Sequence, residues 1–349
     1  MRAILLFICL PAVCFAQLRV TDKGLEYYQV NVNDTIPFSK LDGNISDYNY
    51  YFSSETHSQK IFKELELDIF RSLSENYHVR NLIMEMPYSY TFLINKFFET
   101  GDSSYVFRNS ECLLWHQSYI FKLYTYDKTL PADKKFKLWG IDFDMDRYRA
   151  DFYIHAVKKI LENKITDDSL LKQISDTGQT AQQCRDINNR LQQMMLNDSI
   201  LIKKLIASNE FTDLSLIIST YTKFHFIKKR DQKIFNRLLQ LEPYMIRYNN
   251  EVKAYGQFGE AHTVNSNNNL MSYIRDNKKD RLKYGHKLCR SGTIHYYDPN
   301  KPGRYPKNLT KGEDEFRPVI EGLKTPSVFL IPHTEQYNKF NFTYCFYGY

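Results

Sequence analysis

The sequence predicts an α/β protein: a mostly parallel central sheet flanked by helices, with a large all-helical insertion. Three observations carry that prediction. Short apolar runs alternate with segments of helical periodicity, as in successive βαβ units. Several of these runs end in a carboxylate or a histidine, the residues expected at the carboxyl edge of a parallel sheet. From Arg147 to about Tyr248 the spacing is helical throughout, with one glycine and no proline before Pro243.

The elements follow in order. Met1-Arg2, the apolar stretch Ala3 to Val13 and Cys14-Phe15-Ala16 before Gln17 read as a secretory leader, too short to span a bilayer. The mature chain is then expected outside the cytoplasm, secreted or periplasmic. Cys14 leaves a lipid-anchored form open, although Val13 is a poor fit before a lipidated cysteine. A strand is predicted near Tyr27 to Val32. The next runs from Tyr48 to Phe52 and ends in Ser53-Ser54-Glu55-Thr56-His57. Ile61, Phe62, Leu65, Ile69, Phe70 and Leu73 have the spacing of an amphipathic helix over 59–77. Val79 to Met84 is a strand tipped by Glu85 and stopped by Pro87. A helix from Tyr90 to Glu99 closes at Gly101, a favourable C-cap, and a second amphipathic segment covers Ser110 to Tyr126. Phe136 to Asp142 is a third strand with an acidic end.

The insertion, about 147–250, is predicted as several antiparallel helices whose Leu and Met stripes form core. Lys253 to Phe258 resumes the strand pattern and is tipped by Gly259-Glu260-Ala261-His262, an echo of the first tip. One helix is expected through Leu270 and Ile274. Later strands are predicted at 284–290 and 328–331, a loop at 291–315, and a final edge strand at 340–347. The domain organisation is a leader, 1–16, and a single α/β domain, 17–349, carrying the insertion.

Composition narrows the function. Charged residues are 25% of the 349 and the net charge is +7, about +6 without Arg2, with acids and bases interspersed. That density argues against nucleic-acid binding. Beyond the leader no stretch is long and apolar enough to span a membrane. Cys112, Cys184, Cys289 and Cys345 are too widely spaced for a zinc ribbon or a CxxC redox site. Tyrosine is abundant, 27 residues, which base bias in the genome explains better than a ligand surface does. The sequence has no GxSxG elbow, Walker A loop, HExxH or dinucleotide glycine fingerprint. What it has is convergence. Glu55, His57, Glu85, Asp142, Glu260 and His262 all lie at or just past predicted strand ends, which share one edge in a parallel sheet.

In its order of motifs the sequence resembles the erythromycin esterase-like superfamily, which looks related to the Tiki/TraB proteases and the ChaN-like haem-binding lipoproteins. The resemblance rests on Ser54-Glu55-Thr56-His57, Leu82 to Glu85, Trp139-Gly140-Ile141-Asp142, Arg230-Asp231 with Asn236, and Gly259-Glu260-Ala261-His262. It spans residues 48–275. The chain has Ser54 where the family has glycine, and Glu55 lies two residues before the histidine where the esterases place theirs three before. The esterases' helical arginine after the first motif falls near Lys63 and Arg71. The resemblance implies a hydrolase in which a histidine activates water with no serine nucleophile. His57 is then the general base, oriented by Glu55 or Glu85. His262 binds the carbonyl oxygen or protonates the leaving group, Arg230 neutralises the oxyanion, and Asp142 and Glu260 contact substrate, a small molecule or a peptide. This reading requires no cofactor. Two alternatives stay open: a metal-dependent peptidase of Tiki/TraB type, with a divalent metal on His57, Glu55, Glu85 and His262, and a non-catalytic haem or ligand binder of ChaN type.

Overall fold

The computed structural model describes residues 17–20, 26–31, 45–55, 60–106, 111–145, 150–162, 164, 170, 172, 174, 180–197, 202, 206–222, 229–263, 268–276, 289–297, 327–331 and 344–348. The predicted leader and His57 lie outside them.

The parallel half of the sheet is built from crossovers. Strand β3 (Tyr50–Glu55) is followed by helix α1 (Lys60–Tyr77), β4 (Asn81–Pro87), α2 (Tyr88–Thr100), α3 (Glu111–Thr129) and β5 (Lys137–Asp142); β8 (Ala254–Gly259) follows the insertion. With β1 (Gln17–Val20), β2 (Glu26–Asn31), β9 (Cys289–Tyr297), β10 (Ser327–Ile331) and β11 (Tyr344–Gly348) they form one sheet of order β1-β2-β10-β11-β9-β3-β8-β4-β5. Every pairing from β11 to β5 is parallel, and β1, β2, β10 and β11 pair antiparallel in succession. The predicted α/β class with a mostly parallel sheet is the observed one.

Strand β3 is buried along its length, apart from a half-buried Glu55. That is why it reads as a continuous aromatic run rather than an alternating one: parallel strands are covered on both faces. On one face Phe70 of α1 packs against Phe136 and Tyr255, with ring centroids 4.8 and 6.4 Å apart. Edge strand β5 is blunted by α2. Asn95 exchanges two hydrogen bonds with the Leu138 backbone, and Thr91 Oγ1 accepts from Gly140 N. Helix α2 ends at Gly101 in the left-handed region (φ 74°), its N–H bonded to Phe97 O, as the sequence predicted.

The insertion contains α4 (Ala150–Leu161), α5 (Ala181–Asn197), α6 (Ser208–Thr220) and α7 (Arg230–Asn249). A short parallel pair, β6 (Asp144–Met145) with β7 (Tyr221–Thr222), ties it to the sheet end. Buried Asp144 fastens that junction, accepting hydrogen bonds from Ser89 and from Thr220. Pro243 lies inside α7 rather than ending it. After β8 the polar tip forms a one-turn helix, α8 (Glu260–Thr263), and the helix predicted through Leu270 and Ile274 is α9 (Leu270–Asp276).

Two further expectations are corrected. Of the strand predicted at 284–290, residues 289 and 290 are in a strand that continues to Tyr297, so 291–297 of the predicted loop are strand; 284–288 and 298–315 lie outside the described residues. The strand's apolar signal is weak because pairing decides it: the first half bonds to β3 and the second half to β11. The last strand is no edge. It sits between β10 and β9, and the alternation that suggested one exposed face does not report sheet position. Among the described residues no helix is long and apolar enough to cross a membrane.

Candidate active site at the carboxyl edge of the sheet

The order β3-β8-β4-β5 sets Glu55, Gly259, Glu85 and Asp142 side by side along one edge. Glu55 pairs in register with Gly259, and Pro87 with Asp142. The register between β4 and β5 shifts between Met84 and Pro87. This bulge gives the tip of β4 extra chain and re-aims Glu85. Gly140 makes it feasible: a Cβ there would sit 2.3 Å from Pro87 O and 2.6 Å from Met86 O.

Arg230 opens α7 at the centre of the edge. Lys229 before it is in the left-handed region (φ 63°), where a side-chain-bearing residue costs about 1 kcal/mol. The guanidinium holds Asp142 with two bonds, Nη2–Oδ2 2.8 Å and Nε–Oδ1 3.3 Å. Nη2 also donates to Glu85 Oε1 at 2.9 Å, and Nη1 lies 3.1 Å from His262 Nε2. Glu85 Oε2 accepts from Gly259 N at 2.9 Å, and Oε1 is 3.3 Å from His262 Nε2. The other ring nitrogen, Nδ1, is 2.8 Å from Asp231 Oδ1.

These contacts set the charges. Burial works against ionisation of Glu85, but His262, Arg230 and the Gly259 N–H outweigh it and hold the carboxyl well below the usual range. Burial likewise opposes charge on His262, yet the Asp231 and Glu85 carboxylates raise it to about 9. Burial would lower Arg230; Asp142 and Glu85 push it up instead. The two carboxylates thus bias His262 toward the imidazolium. Its Nε2 also has a partner in either state. Protonated, it donates to Glu85; neutral, it accepts from Arg230. The ring can lose and regain its proton with little rearrangement around it.

Glu55 lies on the same edge in a second cluster. Lys63 Nζ bridges it and the fully buried Glu66, at 3.2 and 3.0 Å. Burial raises the Glu66 carboxyl, outweighing Lys63. Burial opposes charge on Lys63, and the two carboxylates raise it nonetheless.

The structure thus brings Glu85, Asp142, Arg230 and His262 into one network and places Glu55 beside Lys63. His57 lies outside the described residues, as does the Glu260 side chain. Sequence reasoning gave no role to Asp231 or Glu66; an acid in a first helical turn and one among a helix's apolar residues signal nothing about distant partners. Of the donors implied for a metal, the described ones are engaged by cations: Glu85 and His262 meet the Arg230 guanidinium, and Glu55 the Lys63 ammonium. Among the described residues no group of three His, Cys, Asp or Glu could hold a metal ion.

Comparison with known proteins bears on the fold. The fold resembles that of an erythromycin esterase. That structure, a histidine-to-asparagine variant of EreC in its open conformation, is 13% identical, with 84% of this chain and 85% of that one covered and a TM-score of 0.49. A Bacillus cereus protein is 16% identical over 77% and 70% of the chains, with a TM-score of 0.45. ChaN of Campylobacter jejuni, solved with cofacial haem, is 14% identical over 78% and 92%, with a TM-score of 0.34. No family model matches the chain, and no curated protein matches it.

Proposed function

We propose that the protein is a hydrolase of an ester or amide, working by histidine acid–base chemistry at the carboxyl edge of the sheet. The observation that supports this reading is His262 Nε2, flanked by the Glu85 carboxylate at 3.3 Å and the Arg230 guanidinium at 3.1 Å. A proton-transferring group needs both states accommodated, and this ring has them.

In the proposed reaction water attacks the substrate carbonyl, with His57 as the base that takes its proton. Arg230 lends its charge to the developing oxyanion while holding Glu85 and Asp142 in place. His262, protonated at rest, gives its Nε2 proton to the departing oxygen or nitrogen. The neutral ring then accepts from Arg230 until it is reprotonated. The products are a carboxylic acid and an alcohol or amine. Glu55, fixed by Lys63, stands two residues before His57 as its orienting carboxylate. The predicted leader extends the proposal to an exported enzyme.

The test is turnover of p-nitrophenyl esters and p-nitroanilides by the purified protein and by H57A, H262A and E85Q. Removal of either histidine is expected to lower kcat/KM about 100-fold or more. Full activity in folded H57A or H262A sinks the assignment, and no turnover of any probe by the wild type counts against a hydrolase.

A further inference from the structure

The hydrolase reading leaves one contact of His262 without a purpose. Helix α8 is a single turn, Glu260–Thr263, too short to fix a side chain by its own stability. Something else must hold the ring. Asp231 Oδ1 lies 2.8 Å from His262 Nδ1, and its Oδ2 accepts the Leu270 N–H at 2.9 Å. The carboxylate is thereby held by the start of α9 while it holds the ring. Its neighbour Arg230 reaches Nε2 of the same ring. Two consecutive residues of one helix lie against the two nitrogens of one imidazole.

We infer that Asp231 is a positioning residue. It keeps the proton on Nδ1 and turns Nε2 toward Glu85 and Arg230, leaving Nε2 as the nitrogen that exchanges protons with substrate. This rests on the proposed role of His262 and adds the device that makes it work. A carboxylate 2.8 Å from Nδ1 favours the proton on that nitrogen and so biases the tautomer. The groups facing His262 are Asp231 and Arg230 from α7, Glu85 from β4 and the ring of Phe258 from β8, centroids 6.4 Å apart; Asp142 of β5 acts through Arg230. Among these, Asp231 alone approaches Nδ1.

The experiment is a ¹⁵N-histidine NMR titration of the full protein, with the His262 signal assigned by H262Q. Asp231→Asn is the informative change, because its amide oxygen can still accept from Leu270 N and cap α9. In D231N the His262 midpoint is expected to fall from about 9 to roughly 8 or below, and the neutral ring to lose its Nδ1–H preference. With p-nitrophenyl acetate, kcat is expected to drop about 10- to 100-fold while KM stays within about twofold. D231E, which restores the charge, recovers part of both. An unchanged midpoint and tautomer in D231N overturns the inference. Should D231N not fold, the wild type decides: a neutral His262 ring carrying its proton on Nε2 rather than Nδ1 overturns it equally. The NMR readout needs no turnover. A wild type inactive on the ester therefore refutes the hydrolase reading without touching the Asp231–His262 result.

Discussion

Arg230 and Asp142 join the helical insertion to edge strand β5 through a two-bonded ion pair, 2.8 and 3.3 Å. Asp142 is 1% exposed and Arg230 about a quarter exposed. The pair is formed by residues 88 positions apart in sequence, so it organises the site and anchors the insertion together. Removing one partner of a buried pair leaves an uncompensated charge, at a cost of roughly 3–5 kcal/mol. Here Glu85 still holds Arg230 and water reaches the guanidinium. Asp142→Asn is accordingly expected to cost about 2 kcal/mol, read as a lower urea midpoint. Arg230→Lys keeps the charge but not the fork, and is expected to be destabilising too. Unchanged midpoints in both variants would show that the pair contributes nothing.

The charge state of His262 makes stability depend on pH in a definite direction. Its folded pKa of about 9 lies above the ordinary 6.5. Its contribution is therefore fully present below pH 6.5 and is lost as pH rises from there through 9. The amount is at most about 3 kcal/mol, since the ring is well shielded from water. Glu85 behaves oppositely: its depressed pKa gives stability that is present above its ordinary 4.5 and fades as pH falls below that value. Both shifts describe one mutual attraction, so they are not summed. Urea unfolding at pH 6 and pH 9.5 is expected to show a marked loss for wild type and a much smaller one for His262→Gln. Parallel pH profiles for the two proteins would refute this.

Gly140 and Gly256 separate stability from site geometry. A Cβ on Gly140 meets backbone of the β4 bulge, whereas one on Gly256 meets the Phe258 ring at 2.7 Å and Ile83 O at 2.8 Å. Each alanine is expected to destabilise by about 1–3 kcal/mol through overpacking. Gly140→Ala should also disturb Glu85 and Asp142, which flank the bulge. In activity assays below the melting transition, Gly140→Ala is expected to lose far more kcat than Gly256→Ala. Equal losses would mean that the bulge has no special hold on the site.

Legibility in the sequence followed the range of the physics involved. β3, β4, β5 and β8 could be read because parallel strands need continuous apolar runs, and their tips stood out as abrupt polar ends. Gly101 was legible because a left-handed C-cap favours glycine. The position of β11 was not, since alternation is local and strand neighbours are not. The same limit applied to the site. The carboxyl edge could be foreseen from Glu85, Asp142 and His262. That Arg230 would bind all three depends on how α7 returns over the sheet, and the Asp231–His262 contact on where the one-turn helix α8 docks. Lys63 stood near the position of a family arginine, but nothing local marked Glu66 as its partner.

That second cluster yields the last prediction. Lys63 bridges Glu55 and Glu66, and Glu66 is 1% exposed. Lys63→Met removes the cation and leaves a buried carboxyl that burial already drives toward its neutral form. The expected cost is about 3 kcal/mol. Adding Glu66→Gln removes the orphaned charge, so the double variant is expected to be more stable than K63M alone by about 1 kcal/mol or more. Glu66→Gln by itself leaves Lys63 with Glu55 and is expected to cost less than K63M. The measurement is a double-mutant cycle by urea unfolding at pH 7. Additive single effects would show that Lys63 and Glu66 are independent, and that Glu55 alone fixes the lysine.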